Sequence, residues 1–301
     1  MYHGIINVYK EKGFTSFDVV AKMRGICRQK KIGHTGTLDP AAEGVLPVCL
    51  GKATKVCDML TDSDKIYRTV MLLGVETDTQ DTTGTILNRG DVSKITPEEV
   101  KKAVYSFVGP ISQIPPMYSA LKVDGKKLCD LARAGITVER KARMITIYDI
   151  VIEKIQIPRV EMTVHCSKGT YIRTLCHDIG QTLGCKAAME KLVRIQAAGY
   201  RLEDSYKLDE LQRLKEQEKL SGVICPVEDV FAQYPALYVT AQAEKMLQNG
   251  NALGAGQFEN VSEIHFGQPV RVYSSSGKFS AIYRYSRQKS AFKPVKMFLE
   301  E

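Results

Sequence analysis

Fourteen consecutive residues, Gly33-His34-Thr35-Gly36-Thr37-Leu38-Asp39-Pro40-Ala41-Ala42-Glu43-Gly44-Val45-Leu46, restrict this chain more than any other stretch of it. The run is a loop by its chemistry. Three glycines give backbone angles that a side chain forbids, and Pro40 fixes its own φ while steering Asp39 towards an extended conformation. Asp39 is therefore held in place. Asp-Pro is also an ordinary turn pair, and glycine with threonine is ordinary loop composition, so only the run as a whole is specific. Val45 to Leu50 reads as a buried strand leading out of it.

Before the loop, Gly4 to Val8 is β-prone. Thr15 or Ser16 is placed to cap a helix over Phe17 to Gln29, with Phe17, Val20, Ala21 and Met23 on its core face. Arg28-Gln29-Lys30-Lys31 follows at once, either a solvated helix end or, given its nearness to Asp39, a set of phosphate contacts. After the loop, Gly51-Lys52-Ala53-Thr54 lacks the glycine and hydroxyl positions of a phosphate-binding loop. Lys65 to Val75 reads as a strand with Tyr67 near its start. The turn from Glu76 to Gly84 carries Asp78 and Asp81, which suit side-chain-to-backbone turns better than a metal site.

Thr96-Pro97-Glu98-Glu99 is a capping box opening a helix to about Phe107. The proline-rich segment Ile114 to Lys122, then Val123-Asp124-Gly125-Lys126-Lys127, is a poor core and a good mobile flap, and Lys126 to Ala134 is expected to be helical. Met144 to Ile157 and Val160 to Cys166 read as adjacent strands. A small turn at Ser167-Lys168-Gly169-Thr170 opens a helix to about Leu183, with Arg173 in its first turn. Leu208 to Leu220 reads as a charged helix, and the first unit closes near residue 230. The remainder is a helix over Ala241 to Gln248 and β-like runs at Pro269–Tyr273, Phe279–Tyr285 and Val295–Leu299.

A chain of 301 residues with 44 % apolar content has the material for one large domain and a smaller one. Its net charge of +8 favours a polyanionic partner. No run approaches the about 20 apolar residues of a membrane helix, and the N-terminal residues do not form a signal peptide, so no membrane association and a cytoplasmic location are expected. Eight cysteines without a Cys-x-x-Cys pair read as buried or incidental thiols, with neither zinc nor a disulfide framework expected. Asn260-Val261-Ser262 matches a glycosylation acceptor that has no meaning without secretion.

The string around Asp39 resembles the catalytic motif of the TruB family, the tRNA pseudouridine-55 synthases. Tyr67 with Leu73 to Gly84 resembles a second block of that family, and Ser167 to Leu175 with Leu192-Val193-Arg194 a third and fourth. Cys129 stands where the family has a tyrosine, and Val193 where it has an arginine. The resemblance implies an α+β fold: a mixed, largely antiparallel central sheet with flanking helices and a thumb at about residues 115–141, making a catalytic domain over 1–230. A small β-rich PUA-like RNA-binding domain over 231–301 follows. It implies that Asp39 is the nucleophile, attacking either the ribose or the uracil ring, that Tyr67 stacks on the flipped base and takes part in proton transfer, and that Arg173 pairs with Asp39. His34, Tyr171, Leu192, Arg194, Lys122, Lys126 and Lys127 are the implied substrate contacts. The partner implied is the tRNA T-arm stem-loop, bound by a monomer with no obligate protein partner, no cofactor and no metal. A non-catalytic tRNA-folding chaperone and a guide-RNA-dependent relative are the alternatives.

Overall fold

The computed structural model describes residues 1–259, 261 and 267–299; Asn260 and Ser262 of the glycosylation acceptor lie outside the described residues. Strand β1 (Gly4–Lys10) leads into helix α1 (Ser16–Cys27), which Thr15 caps in a complete capping box with Asp18. That helix buries Val19, Val20, Met23, Ile26 and Cys27, whereas Phe17 is 64 % exposed and Ala21 faces solvent, contrary to the expected core face. The cause is at its first turn. The Ser16 hydroxyl accepts from the Leu38 amide at 2.9 Å, which turns Ser16 inward and rotates Phe17 outward beneath the Arg24 guanidinium.

Strands β2 (Ile32–His34) and β3 (Glu43–Leu50) bracket the Asp39 loop, and a 3-10 turn over Gly51–Val56 passes into helix α2 (Cys57–Thr61). Strand β4 (Lys65–Leu73) stops at Gly74, whose φ of +84° breaks the extended run before Val75. The hairpin β5 (Val75–Thr77) and β6 (Ile86–Arg89) encloses the acidic turn. Helix α3 (Pro97–Tyr105) has the expected capping box, and strand β7 (Gly109–Gln113) follows. Next come β8 (Lys122–Val123), β9 (Lys126–Lys127) and helix α4 (Leu128–Arg133). Lys126 and Lys127 are thus in a hairpin, not a helix: Asp124 and Gly125 both have positive φ, 49° and 79°, and an Asp-Gly pair favours the tight hairpin turn.

Strands β10 (Arg143–Gln156) and β11 (Arg159–Cys166) form the expected antiparallel pair, helix α5 (Ile172–Thr182) carries Arg173, and β12 (Ala187–Ala197) returns through the sheet. Strand β13 (Tyr200–Arg201) and helix α6 (Leu208–Glu216) complete this part. The helix ends four residues before Leu220, near Glu218 in a left-handed conformation. The sheet order is β1-β3-β12-β4-β11-β10-β7, with β2 on β3 and β13 on β12. Every pairing is antiparallel except β3 with β12, which meet in parallel at Glu43–Val193 and Gly44–Arg194. A second sheet holds β14 (Ala236–Tyr238), β15 (Pro269–Tyr273), β16 (Phe279–Ser286) and β17 (Ala291–Met297), with helix α7 (Glu244–Gln248) beside it. The last strand begins four residues earlier than the run read from sequence, because Phe292 is completely buried opposite Tyr285.

One apolar cluster lies between the large sheet and α3 and α5, and it includes Leu38, Ala42, Tyr67 and Leu192, so the Asp39 loop rests directly on the core. Helix α5 is fastened at its outer face as well. His177 lies 3.1 Å from Glu76 and 3.0 Å from Asp178, and Lys186 also reaches Glu76. The bond to Asp178 raises the His177 pKa, burial opposes that, and the bond to Glu76 adds to the rise. A folded pKa above the unfolded one, about 6.5, means that this clamp stabilises fully below about pH 6.5 and fades as pH rises through the folded value. The melting-temperature gap between the wild type and His177→Gln is accordingly expected to be widest near about pH 6 and to narrow towards about pH 9. A gap independent of pH would remove imidazole titration from the account.

Candidate active site

The loop between β2 and β3 is held by its carbonyls. Two buried cations receive them: the Lys10 ammonium donates to Ala42 at 2.6 Å and to Pro40 at 3.5 Å, and Arg194 donates to Val45 at 2.7 Å and to Gly36 at 3.2 Å. The Gly13 amide also donates to Pro40 at 2.8 Å. Lys10 is fully buried and Arg194 1 % exposed, so their charges are compensated by carbonyl dipoles and nearby carboxylates instead of by water. Burial brings Lys10 down to about 8, with Asp39 acting in the other direction. The glycines have a reason here. Gly44 has φ +106°, and a Cβ on it would come within 2.3 Å of the Arg194 carbonyl where β3 meets β12.

Asp39 sits at the floor of a cleft of about 360 Å³. Its Oδ2 lies 3.0 Å from Arg173 Nε, with the guanidinium side chain 5 % exposed and the carboxylate side chain 38 % exposed to the cleft. The rest of the guanidinium fork is also used. Arg173 donates to the carbonyls of Thr79 at 2.9 Å and Tyr118 at 2.8 Å, and lies 3.8 Å from Asp81. One planar cation therefore ties α5, the acidic turn and the 117–121 segment to the Asp39 loop, which a lysine's single ammonium would not do. Burial raises the Asp39 pKa; Arg173 pulls it down, Asp81 pushes it up and Lys10 pulls it down. Without the two cations, the carboxyl would keep its proton further into the neutral range.

The walls of the cleft gather several residues singled out from sequence. Tyr67, Tyr171, Leu192 and Arg194 line it with Asp39 and Arg173. Tyr67 is 8 % exposed on β4, opposite Arg194 of β12 in the sheet register. Its phenol pKa is raised by burial, so it is a neutral hydroxyl at neutral pH. Tyr171 caps α5, and its backbone is clamped at both ends by the Gln113 side chain, whose oxygen accepts from the Tyr171 amide at 2.8 Å and whose nitrogen donates to the Tyr171 carbonyl at 3.1 Å.

Four candidates stand elsewhere. His34 does not line the cleft; it is half-buried on β2, its pKa is lowered by burial and by Arg194, and its Nδ1 has no hydrogen-bond partner among the described residues. Lys122, Lys126 and Lys127 are exposed on the β8–β9 hairpin outside the cleft, while Ser119, Ala120 and Leu121 of the same segment form its wall.

Several contributors escaped the sequence reading. Lys65, 6 % exposed, lines the cleft and is brought down to about 8 by burial, and its ammonium donates to the Thr61 carbonyl at 2.5 Å. Lys10 and Gln113 were likewise unmarked, because nothing local distinguishes a lysine or glutamine that tertiary structure buries. Asp81 is 7 % exposed and accepts from Thr79, the Thr83 amide and the Thr83 hydroxyl. No group of three or more histidine, cysteine or acidic side chains is arranged to hold a metal among the described residues.

A carboxylate paired with a buried arginine, facing a cavity walled by an aromatic ring, has the components of a nucleophilic site for a planar guest. Comparison with known proteins specifies the family. Residues 24–172 match the TruB family pseudouridylate synthase N-terminal domain, and residues 173–232 the tRNA pseudouridylate synthase B C-terminal domain. A protein from Lachnoclostridium phytofermentans named tRNA pseudouridine synthase B is 50 % identical, the match covering 99 % of this chain and 100 % of that one. The chain belongs to the TruB family of pseudouridylate synthases. A second TruB-family relative, from Clostridium perfringens, carries the same name and is 44 % identical over 99 % of this chain and 100 % of its own length. Among solved structures, an H/ACA RNP bound to a substrate RNA containing 2′-deoxyuridine has a chain 25 % identical with TM-score 0.72, covering 99 % of this chain and 86 % of that one. A Cbf5-Nop10-Gar1 complex has a chain 28 % identical with TM-score 0.71, over 99 % and 85 %. These neighbours share the mixed, mainly antiparallel sheet with flanking helices.

Proposed function

We propose that this TruB-family protein isomerises the uridine at position 55 of the tRNA T-loop to pseudouridine, with Asp39 as nucleophile. The observation that carries this is the Asp39–Arg173 pair at 3.0 Å on the floor of a cleft walled by Tyr67. The target nucleotide leaves its stack, at a cost of a few kcal/mol, and enters the cleft. Tyr67 offers it a ring face, and base–aromatic stacking is worth about 1–3 kcal/mol. The Asp39 carboxylate attacks the ribose or the uracil ring, the N–C glycosidic bond breaks, and the base turns. Carbon 5 then bonds to the sugar while the bond to Asp39 breaks and frees the carboxylate, and the carbon 5 proton leaves through a relay that includes the neutral Tyr67 hydroxyl as N1 takes up a proton. The reaction is an isomerisation: every atom of the uridine is retained apart from the exchanged proton, and it draws on no electron or energy carrier.

Arg173 keeps Asp39 ionised, Arg194 and Lys10 keep its loop in place, and Tyr171 and Leu192 shape the cleft walls. Lys122, Lys126 and Lys127 at the tip of a thumb over about 115–141 supply phosphate contacts, and His34 acts from beside the loop during extrusion of the base. Residues 1–230 form the catalytic domain and 231–301 a PUA-like RNA-binding domain, acting as a cytoplasmic monomer on the T-arm without an obligate protein partner. Among the described residues, no helix is long and apolar enough to cross a membrane. The tRNA-named relatives at 50 % and 44 % identity align over their full length, which favours tRNA over a guide-dependent substrate.

The deciding experiment is tritium release from a T-arm stem-loop carrying 5-tritiated uridine, followed by mapping of the product in full-length tRNA. One equivalent released per RNA, with the product at a single T-loop uridine, is the expected result. Tight binding without release would leave only a chaperone.

A further inference from the structure

Among its described lining residues, the cleft has three cations: Lys65, Arg173 and Arg194. Two of them are already committed. Arg173 directs its fork to Asp39 and to the Thr79 and Tyr118 carbonyls, and Arg194 donates to the Val45 and Gly36 carbonyls and to the Tyr67 hydroxyl. Lys65 is different. An ammonium has three N–H donors, and among the described residues two carbonyls accept from this one, Thr61 at 2.5 Å and Ser63 beside it. Those carbonyls lie at the end of α2 and just beyond it, and they anchor the ammonium as dipoles, with Asp62 and Asp64 acting from further off. The third donor is left for a guest.

Its place in the cleft matters as much. Lys65 lies two residues before Tyr67 on β4, so the two side chains share one face of the strand. The strongest influences on the ionisation of Asp39 are Arg173, Asp81 and Lys10, and those on Lys65 are Arg194, Cys166, Asp62 and Asp64. The two sets do not overlap, so carboxylate and ammonium stand at different parts of the cleft, whereas Tyr67 feels Arg194, Cys166 and Asp39 alike. Tyr67 is between them. A uracil stacked on that ring, with its glycosidic bond or C6 towards Asp39, turns the opposite N3–C4 edge and its O4 away from the carboxylate. Charge collects at that edge. When Asp39 adds to C6, the C5=C6 electron pair moves onto O4 as an enolate; when Asp39 takes the ribose carbon, the glycosidic pair leaves with N1 and is shared with O2 and O4. O4 becomes more negative by either route, and a fixed donor beside it binds the transition state more strongly than the ground state.

We propose that Lys65 is a further catalytic residue of the isomerisation, donating its third N–H to O4 of the flipped uracil and keeping its own proton while negative charge gathers there. The proposal rests on the uridine-isomerase reading above. It gives a role to a buried lysine that the Asp39–Arg173 pair and the Tyr67 relay leave unused. Burial brings Lys65 down to about 8, so the ammonium is still mostly charged at neutral pH.

The test is Lys65→Met in single-turnover reactions on T-arm stem-loops carrying uridine, 4-thiouridine or 2-thiouridine at the target, with the product identified by nuclease digestion and chromatography. Sulfur accepts a hydrogen bond poorly, so each thio substitution removes one acceptor. On uridine the variant is expected to lose about 100-fold in rate, the scale of one oxyanion donor, with RNA affinity changed by less than about threefold. On 4-thiouridine the same substitution should cost less than about threefold, because the contact is already missing, and on 2-thiouridine the full loss should return. Effects of sulfur on the ring's own reactivity are common to both proteins and cancel in the ratio. Equal losses on all three RNAs, a loss confined to affinity, no loss on uridine, or a loss that vanishes on 2-thiouridine instead would each overturn the proposal. If the methionine variant unfolds below the assay temperature, Lys65→Gln, which keeps a donor for the α2 carbonyls without the charge, carries the same comparison and should show the same pattern with a smaller loss. A wild type inactive on the uridine stem-loop overturns the isomerase reading and the proposal with it, whereas an active wild type beside any of the contrary results overturns the proposal alone.

Discussion

Asp39→Asn is expected to reduce turnover on the T-arm by on the order of 10⁴- to 10⁶-fold, the scale seen when an enzyme loses its nucleophile, while tRNA affinity changes less than about threefold. Asparagine keeps the shape of the side chain and can still accept from Arg173 Nε, so the loop tethers through Ala42, Pro40 and Gly36 remain. What disappears is the negative charge and the nucleophilic oxygen. Single-turnover tritium release and equilibrium binding on the same preparation separate the two effects. A parallel loss of binding and turnover would mean that Asp39 recognises RNA instead of reacting with it.

Arg173→Met should be damaging in two ways. It leaves the carbonyls of Thr79 and Tyr118 without their donor and Asp39 without its partner, and breaking such a buried pair costs about 3–5 kcal/mol. It also removes the strongest influence holding the Asp39 pKa down, leaving burial and Asp81 to raise it. With an ionised Asp39 as the proposed nucleophile, activity should rise with pH through that pKa. The acid limb of the rate profile should therefore move to higher pH in the variant. Arg173→Lys, which keeps the charge but cannot fill all three positions of the fork, should fold better and show a smaller displacement in the same direction. An acid limb at the same pH in all three proteins would sever Arg173 from the ionisation of Asp39.

The elements that were legible are those whose signals are local. Capping boxes at Thr15 and Thr96 mark their helices, the β-branched runs mark β10 and β11, and the glycine-proline pattern marks the loop that holds Asp39. Misreadings arose where a distant contact decided between local options. Phe17 looks like a core residue until Ser16 is seen bonded to Leu38, and the Asp124-Gly125 turn sets Lys126 and Lys127 in a hairpin before the helix begins. Strand β12 carries Glu190, Lys191 and Arg194 and has no clean alternation, yet it is the strand on which the parallel contact with β3 and the burial of Arg194 depend.

The sequence by itself singled out Asp39 among the carboxylates, because the constraints on its backbone come from its immediate neighbours in the chain. It also pointed, through separate blocks, to Tyr67, Arg173 and Arg194. Only the tertiary structure decided what surrounds them: that Arg173 reaches three chain segments, that burial brings Lys10 and Lys65 down to about 8, and that the basic cluster at Arg28 to Lys31 lines a different cavity from the cleft. Burial, charge compensation and the opening of a cavity arise between residues far apart in the chain, and so are settled when the sheet brings those residues together.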